Sequence, residues 1–221
     1  MSVPKSASPR LPRLYLATPL LGDVAEFRNR LLEAIDAADI AAVLLRLGPA
    51  DERTLINRVK ELASAVQERD VAVLIDGHVN LVARAGADGA HIRGSSAAGE
   101  ALQALKPNRI VGVGGLHSRH DAMVAGESGA DYVLFGEPDE IGRRPGLEAI
   151  LDRLSWWAEV FEPPCVGHAQ SLSEVEALAA TGADFILLGD AVWDDPRGPV
   201  QALKEATSAL ARALPTARTD V

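Results

Sequence analysis

Cysteine and lysine are both scarce in this chain, and each shortage removes a class of chemistry. A single cysteine, Cys165, stands among 221 residues, so neither an internal disulfide framework nor a cysteine-based zinc site can form. The lysines are Lys5, Lys60, Lys106 and Lys204; Lys5 lies in the N-terminal arm and the rest fall in or beside helical segments. That largely removes Schiff-base chemistry, which needs a desolvated lysine beside the reacting carbon. No apolar run approaches the roughly eighteen residues that cross a bilayer, so no membrane partner is expected. Basic stripes are missing too, and a net charge of -9 counts against nucleic acid as a partner. Residues 1–12 hold three prolines and no apolar stretch, which predicts a flexible arm, no secretory signal and a cytoplasmic setting.

What the chain does have is repetition. Gly86-Ala87-Asp88, Gly129-Ala130-Asp131 and Gly182-Ala183-Asp184 each lead into a short apolar run that ends at a glycine, Gly94, Gly136 or Gly189. A fainter copy runs from Ala38-Asp39 to Gly48. The spacing is about forty to fifty residues, the length of two strand–helix units. Eight strand-length runs are legible: 13–18, 41–46, 72–76, 89–92, 110–113, 132–135, 165–168 and 185–188. Segments of helical period follow each of them, with Asp51 as a cap before the second and Ser171-Leu172-Ser173-Glu174 as a capping box before the seventh. The pattern predicts an α/β fold of one domain, a (β/α)8 TIM barrel over residues 13–214 with a tail at 215–221; a doubly wound open sheet is the alternative.

In such a barrel chemistry belongs to the carboxyl ends of the strands. The exits carry Thr18, Arg46, Asp76, Arg93, Gly114, His117, Glu137, His168, Gln170 and Asp190. The Gly-Ala-Asp acids enter strands and therefore read as turn or capping residues. Arg46 is either an anion clamp or a salt-bridge partner of Asp76. Glu137 is a proton-transfer candidate if burial raises its pKa, and otherwise a solvated loop acid. His91, inside a strand, reads as a satisfied core histidine, whereas His117 and His168 should face the mouth. Asp76, His117, Glu137 and His168 would offer a zinc or manganese site if they converged.

Leu14-Tyr15-Leu16-Ala17-Thr18-Pro19, Val43-Leu44-Leu45-Arg46, Gly86-Ala87-Asp88-Gly89-Ala90-His91-Ile92, Ile110-Val111-Gly112-Val113 and Ala130-Asp131-Tyr132-Val133-Leu134-Phe135-Gly136 appear in unbroken order. Taken together they resemble the thiamine-phosphate synthases and the related thiazole tautomerases. The resemblance implies coupling of an aminopyrimidine diphosphate to a thiazole phosphate, with release of pyrophosphate and help from Mg2+. It puts Arg46 on the diphosphate, Asp76 on the metal or the pyrimidine, and the Gly189-Asp190 turn on the thiazole phosphate. Thr18, Gly114 and His117 complete the expected substrate contacts, and Glu137 and His168 join Arg46 as catalytic candidates. A small-molecule ligand and a homodimer are implied as well.

Several positions depart from the family pattern. Leu44 stands for its glutamine, Gly48 for a lysine, Asp76-Gly77 for an Asn-Asp pair, Ser96 for a magnesium acid and Gly114 for a serine. The Thr-x-Thr-Lys loop is absent, His168 lies where the seventh strand has glycine, and Asp190 replaces a small polar residue. Glu137 holds the position of the tautomerase histidine. Three readings follow: a synthase of weak or altered activity, a non-catalytic protein that binds a thiamine-related metabolite, and a proton-transfer enzyme using Glu137.

Overall fold

Leucine-, valine- and isoleucine-rich runs alternate with amphipathic segments, and the alternation closes on itself. The computed structural model describes residues 11–139 and 141–213. Its parallel strands are β1 (Arg13–Leu21), β2 (Ile40–Leu47), β3 (Ala72–Asp76), β4 (Gly89–Arg93), β5 (Ile110–Gly114), β6 (Tyr132–Phe135), β7 (Cys165–Ala169) and β8 (Phe185–Leu188). They pair in chain order, and β8 returns to β1 through Arg13↔Phe185 to Leu16↔Leu188. That last pairing decides for the barrel over an open sheet.

Around the strands run α1 (Ala25–Asp36), α2 (Glu52–Gln67), α3 (Val82–Ala85), α4 (Ser95–Leu105), α5 (Arg119–Glu127), α6 (Leu147–Val160), α7 (Val175–Ala179), α8 (Asp190–Trp193) and α9 (Pro199–Arg212). Residues 1–10 of the expected arm and the whole expected tail lie outside the described residues.

The repeat now has a physical explanation. Its glycines, Gly86, Gly129 and Gly182, have φ of +77°, +97° and +88°, a left-handed backbone that closes the preceding helix and that side chains disfavour. Its alanines are buried. Its aspartates latch the preceding strand: Asp88, Asp131 and Asp184 accept from the N–H groups of Val73, Val111 and Cys165 at 2.8, 2.7 and 2.9 Å. Each latch gives a backbone donor at the strand entrance a carboxylate acceptor. These acids are structural, as expected.

Two apolar layers result. A small one fills the barrel interior with Tyr15, Ala17, Leu44, Leu74, Tyr132, Leu134, Val166 and Leu187, and a larger one lies between strands and helices. Strand side chains alternate, so the residue two positions beyond an interior one also faces inward. Leu44 thereby places Arg46, Leu74 places Asp76 and Val166 places His168 at the carboxyl mouth.

Some local expectations need correction. Asp51 caps α2 as read, accepting from the Thr54 N–H at 3.0 Å. Ser171 forms no capping box; its hydroxyl meets that of Ser173, while Glu174 is taken by the Gln170 N–H and Arg144. A capping box does form at α5, between Ser118 and Asp121. Helices α3 and α7 are shorter than their sequence pattern, each preceded by a 3-10 turn. On α6, Trp157 is the core tryptophan, and Trp156 is partly buried under the Arg119 guanidinium, 4.9 Å from its ring centre.

Candidate active site

A chain of polar side chains threads the barrel interior toward the mouth. The Tyr15 and Tyr132 hydroxyls lie 3.0 Å apart, and the Tyr132 hydroxyl lies 2.9 Å from His91 Nδ1. His91 Nε2 reaches the Glu137 carboxylate at 3.2 and 3.3 Å. Glu137 Oε1 also meets the Arg93 guanidinium at 3.2 Å, and its Oε2 accepts from the Gly115 N–H at 2.9 Å. The row fits because Gly112 leaves room for the Tyr132 ring; a Cβ there would fall 1.9 Å from the ring. Burial pushes both tyrosine hydroxyls far above their ordinary pKa, so they act as neutral donors and acceptors.

Glu137 behaves opposite to the raised-pKa expectation. Burial alone would raise it, but His91, Arg93 and His168 together outweigh burial and hold it at about 2. It is neither solvated nor poised to take a proton: its side chain is 6 % exposed and fully partnered.

On the other side of the mouth, the Thr18 hydroxyl accepts from the Arg46 N–H at 3.0 Å and ties β1 to β2. The Arg46 guanidinium is 3.6 Å from Asp190, with both side chains in contact with solvent. The Arg46–Asp76 bridge, one of the two readings of Arg46, does not form. Among the described residues the Asp76 carboxylate has no hydrogen-bond or salt-bridge partner, although its charge adds to the upward shift of Tyr15 and Tyr132. The Gly189 turn starts α8 and is pinned to β1: the Trp193 indole N–H donates to the Ala17 carbonyl at 2.6 Å, with the Arg30 guanidinium over the ring.

Between these sides lies His168. Its Nδ1 sits 3.1 Å from the Gly136 carbonyl, an acceptor, so Nδ1 carries the proton and Nε2 the lone pair. Burial lowers its pKa and favours this neutral form, although the Gly136 carbonyl and Glu137 pull the other way. His168 lines a small recess with Arg144, Gln170 and Asp190. A larger cleft of about 690 Å³ opens over β4, β5 and β6, bounded by Arg93, Gly115, His117, Glu137 and Arg143. Its far wall is the segment after β6, held by Arg144, whose guanidinium donates to the carbonyls of Gly136 and His168 at 2.9 and 2.6 Å and to Glu174 at 2.9 Å.

The acids and histidines of the mouth do not converge. Among the described residues no three His, Cys, Asp or Glu side chains form a metal-holding group, which overturns the zinc or manganese expectation. Among the described residues of the mouth, Asp76 offers a hard-oxygen donor without a partner. One carboxylate could contribute one ligand to an ion that takes few ligands from protein, as Mg2+ commonly does.

The profile of the family described as thiamine monophosphate synthase matches residues 14–192. The chain belongs to this family. It is 40% identical over 196 residues to the thiamine-phosphate synthase of Rhodospirillum centenum, covering 87% of this chain and 95% of that one. The thiamine-phosphate synthase of Hyphomonas neptunium is 37% identical over 208 residues, covering 90% and 94%. The solved thiamine phosphate pyrophosphorylase of Pyrococcus furiosus superposes with a TM-score of 0.76 over 92% of this chain and 97% of its own, at 24% identity, which bears on the fold alone. No helix among the described residues is long and apolar enough to cross a membrane.

Within this family member the mouth holds Thr18, Arg46, Asp76, Glu137, His168, Gly189 and Asp190 at the strand ends, with Gly114 beneath Glu137. His117 lines the cleft rim, its carbonyl held by Arg153 at 2.9 Å. Arg93 stands at a strand exit, and its pairing with Glu137 connects residues 44 positions apart. The importance of Arg144 and the Gly115 N–H has no sequence signal, because both depend on how the segment after β6 folds back.

Proposed function

We propose that this chain joins an aminopyrimidine diphosphate to a thiazole phosphate and releases pyrophosphate, with an activity altered by the acids at its mouth. The observation that carries the reading is the pair formed by Arg46, loosely held by an exposed partner, and Asp76, a carboxylate with no described partner, on neighbouring strands. A guanidinium can turn from a 3.6 Å carboxylate to the oxygens of a diphosphate, where the bonds are shorter and charge-assisted. Asp76 together with diphosphate oxygens would hold Mg2+, which supplies charge neutralisation for the departing pyrophosphate.

In this reading the C–O bond between the diphosphate and the methylene carried by the pyrimidine ring breaks, the thiazole nitrogen bonds to that methylene carbon to give a thiazolium, and the C–O electron pair leaves on pyrophosphate beside Arg46. His168 Nε2, a lone pair at a fixed place, accepts from the amino group of the pyrimidine and orients it. The turn at Gly189 receives the thiazole phosphate. Asp190 opposes that anion, and Arg46 offsets it; a site with one cation serving two anions should run slower than one with a cation for each. The working form is a cytoplasmic homodimer acting on small molecules.

A second reading has its own observation. Arg46, Arg93, Arg143 and Arg144 are each paired with a carboxylate, Asp190, Glu137, Asp139 and Glu174 respectively. A mouth neutralised in this way also suits a non-catalytic protein that binds an unphosphorylated thiamine-related ligand. Incubating purified protein with both substrates and Mg2+ separates the two. Thiamine phosphate should accumulate above the protein-free rate and stop on chelation of the metal. No product, under conditions where a related synthase turns over, removes the catalytic reading; Mg2+-independent calorimetric binding of the unphosphorylated ligand then supports the second.

A further inference from the structure

The donors around Glu137 make a complete oxyanion pocket. Arg93 supplies a guanidinium, Gly115 an inward N–H and His91 an imidazole, all within 3.3 Å of one carboxylate at the floor of the open cleft. Charge-assisted guanidinium bonds combined with a backbone N–H are what proteins commonly present to the phosphate or carboxylate of a ligand. The turn that presents the N–H suits glycine: Gly115 has φ +63°, a left-handed conformation that side chains disfavour, and its N–H points at Glu137 Oε2. It is also cleared for its occupant, because a Cβ on Gly114 would lie 1.9 Å from Glu137 Oε2 and 2.7 Å from His91 Nε2.

We propose that Glu137 is a built-in anion, a specificity-determining residue that fills this oxyanion pocket and denies it to the phosphate groups of ligands. The same carboxylate that satisfies three donors also repels any second anion placed beside it. The mouth thus accepts negative charge on its β2–β3 side, at Arg46, while the β4–β6 cleft takes the neutral or hydrogen-bond-donating part of a ligand. This division concerns which anion the mouth admits, so it stands or falls independently of whether the chain turns over the two substrates.

Titration with inorganic phosphate in Mg2+-free buffer tests it. The wild type and Glu137→Gln, whose amide still fills the pocket, should bind phosphate at least tenfold more weakly than Glu137→Ala, whose pocket is open. Adding Arg93→Ala to Glu137→Ala should reverse the gain. If Glu137→Ala folds poorly, phosphate should raise its Tm well above that seen with chloride at equal ionic strength, with no such rise in the wild type. Glu137→Ala binding phosphate no better than the wild type, or gaining no phosphate-dependent stability, overturns the proposal. A gain that survives Arg93→Ala overturns it too.

Discussion

Arg46→Ala lowers kcat/KM for the coupling reaction by about 100-fold or more, the usual consequence of removing a charged group that stabilises developing negative charge. The loss should fall on activity and not on folding. The Arg46 side chain is 35% exposed, and its ion pair with Asp190 is long and solvated, a type that contributes at most about 1 kcal/mol. The bond that ties β2 to Thr18 uses the Arg46 backbone N–H and survives the substitution. Arg46→Lys should recover part of the rate, since it restores the charge but not the two-pronged geometry. Steady-state kinetics with matched unfolding curves make the comparison. An Arg46→Ala protein within threefold of the wild type means that the diphosphate is held elsewhere.

Arg144→Ala should cost about 3 kcal/mol of stability or more, the scale expected when one partner of a buried charge pair is removed. Its side chain is 9% exposed and spans the Gly136 carbonyl, the His168 carbonyl, Gln170 and Glu174. Truncation leaves the Glu174 carboxylate with only the Gln170 N–H and takes the guanidinium from both carbonyls, so that of the side-chain donors to Gly136 only His168 Nδ1 remains. For a domain whose total stability is of order 10 kcal/mol, that is a large fraction. The effect should reach the mouth, because the same guanidinium fixes the wall of the cleft and the carbonyl that sets the His168 tautomer. Urea unfolding measures the cost; a change below about 1 kcal/mol contradicts the role given to this residue.

The barrel is legible in the sequence because its determinants are local. Gly86, Gly129 and Gly182 stop helices, the alanines after them are small enough to bury, and Asp88, Asp131 and Asp184 latch strands only a helix away. Alternation along each strand then puts Arg46, Asp76 and His168 at the mouth from nothing more than the apolar residues two positions earlier. Pairing across the mouth is another matter. Arg46 is 30 residues from Asp76 and 144 from Asp190 in sequence, and only the closure of β8 on β1 brings the second within reach.

Glu137 shows the same limit in electrostatic form. Burial argues for a raised pKa, and that much follows from its place after a strand. The groups that reverse the shift, His91 and Arg93, face it from β4, and the Gly115 N–H arrives from the turn after β5. Serine at the position of Gly114 and an inward Glu137 are sterically incompatible, so the two departures from the family pattern form one structural change. Read singly, each looks like a lost contact; read together, they exchange a hydroxyl for a permanent carboxylate.

A crystal structure of the protein with pyrophosphate and Mg2+ tests the division of the mouth most directly. The account predicts pyrophosphate against Arg46 with the metal on Asp76, while Glu137 stays on Arg93 and the Gly115 N–H. Pyrophosphate seated on Arg93 and Gly115, with Glu137 displaced, would contradict it.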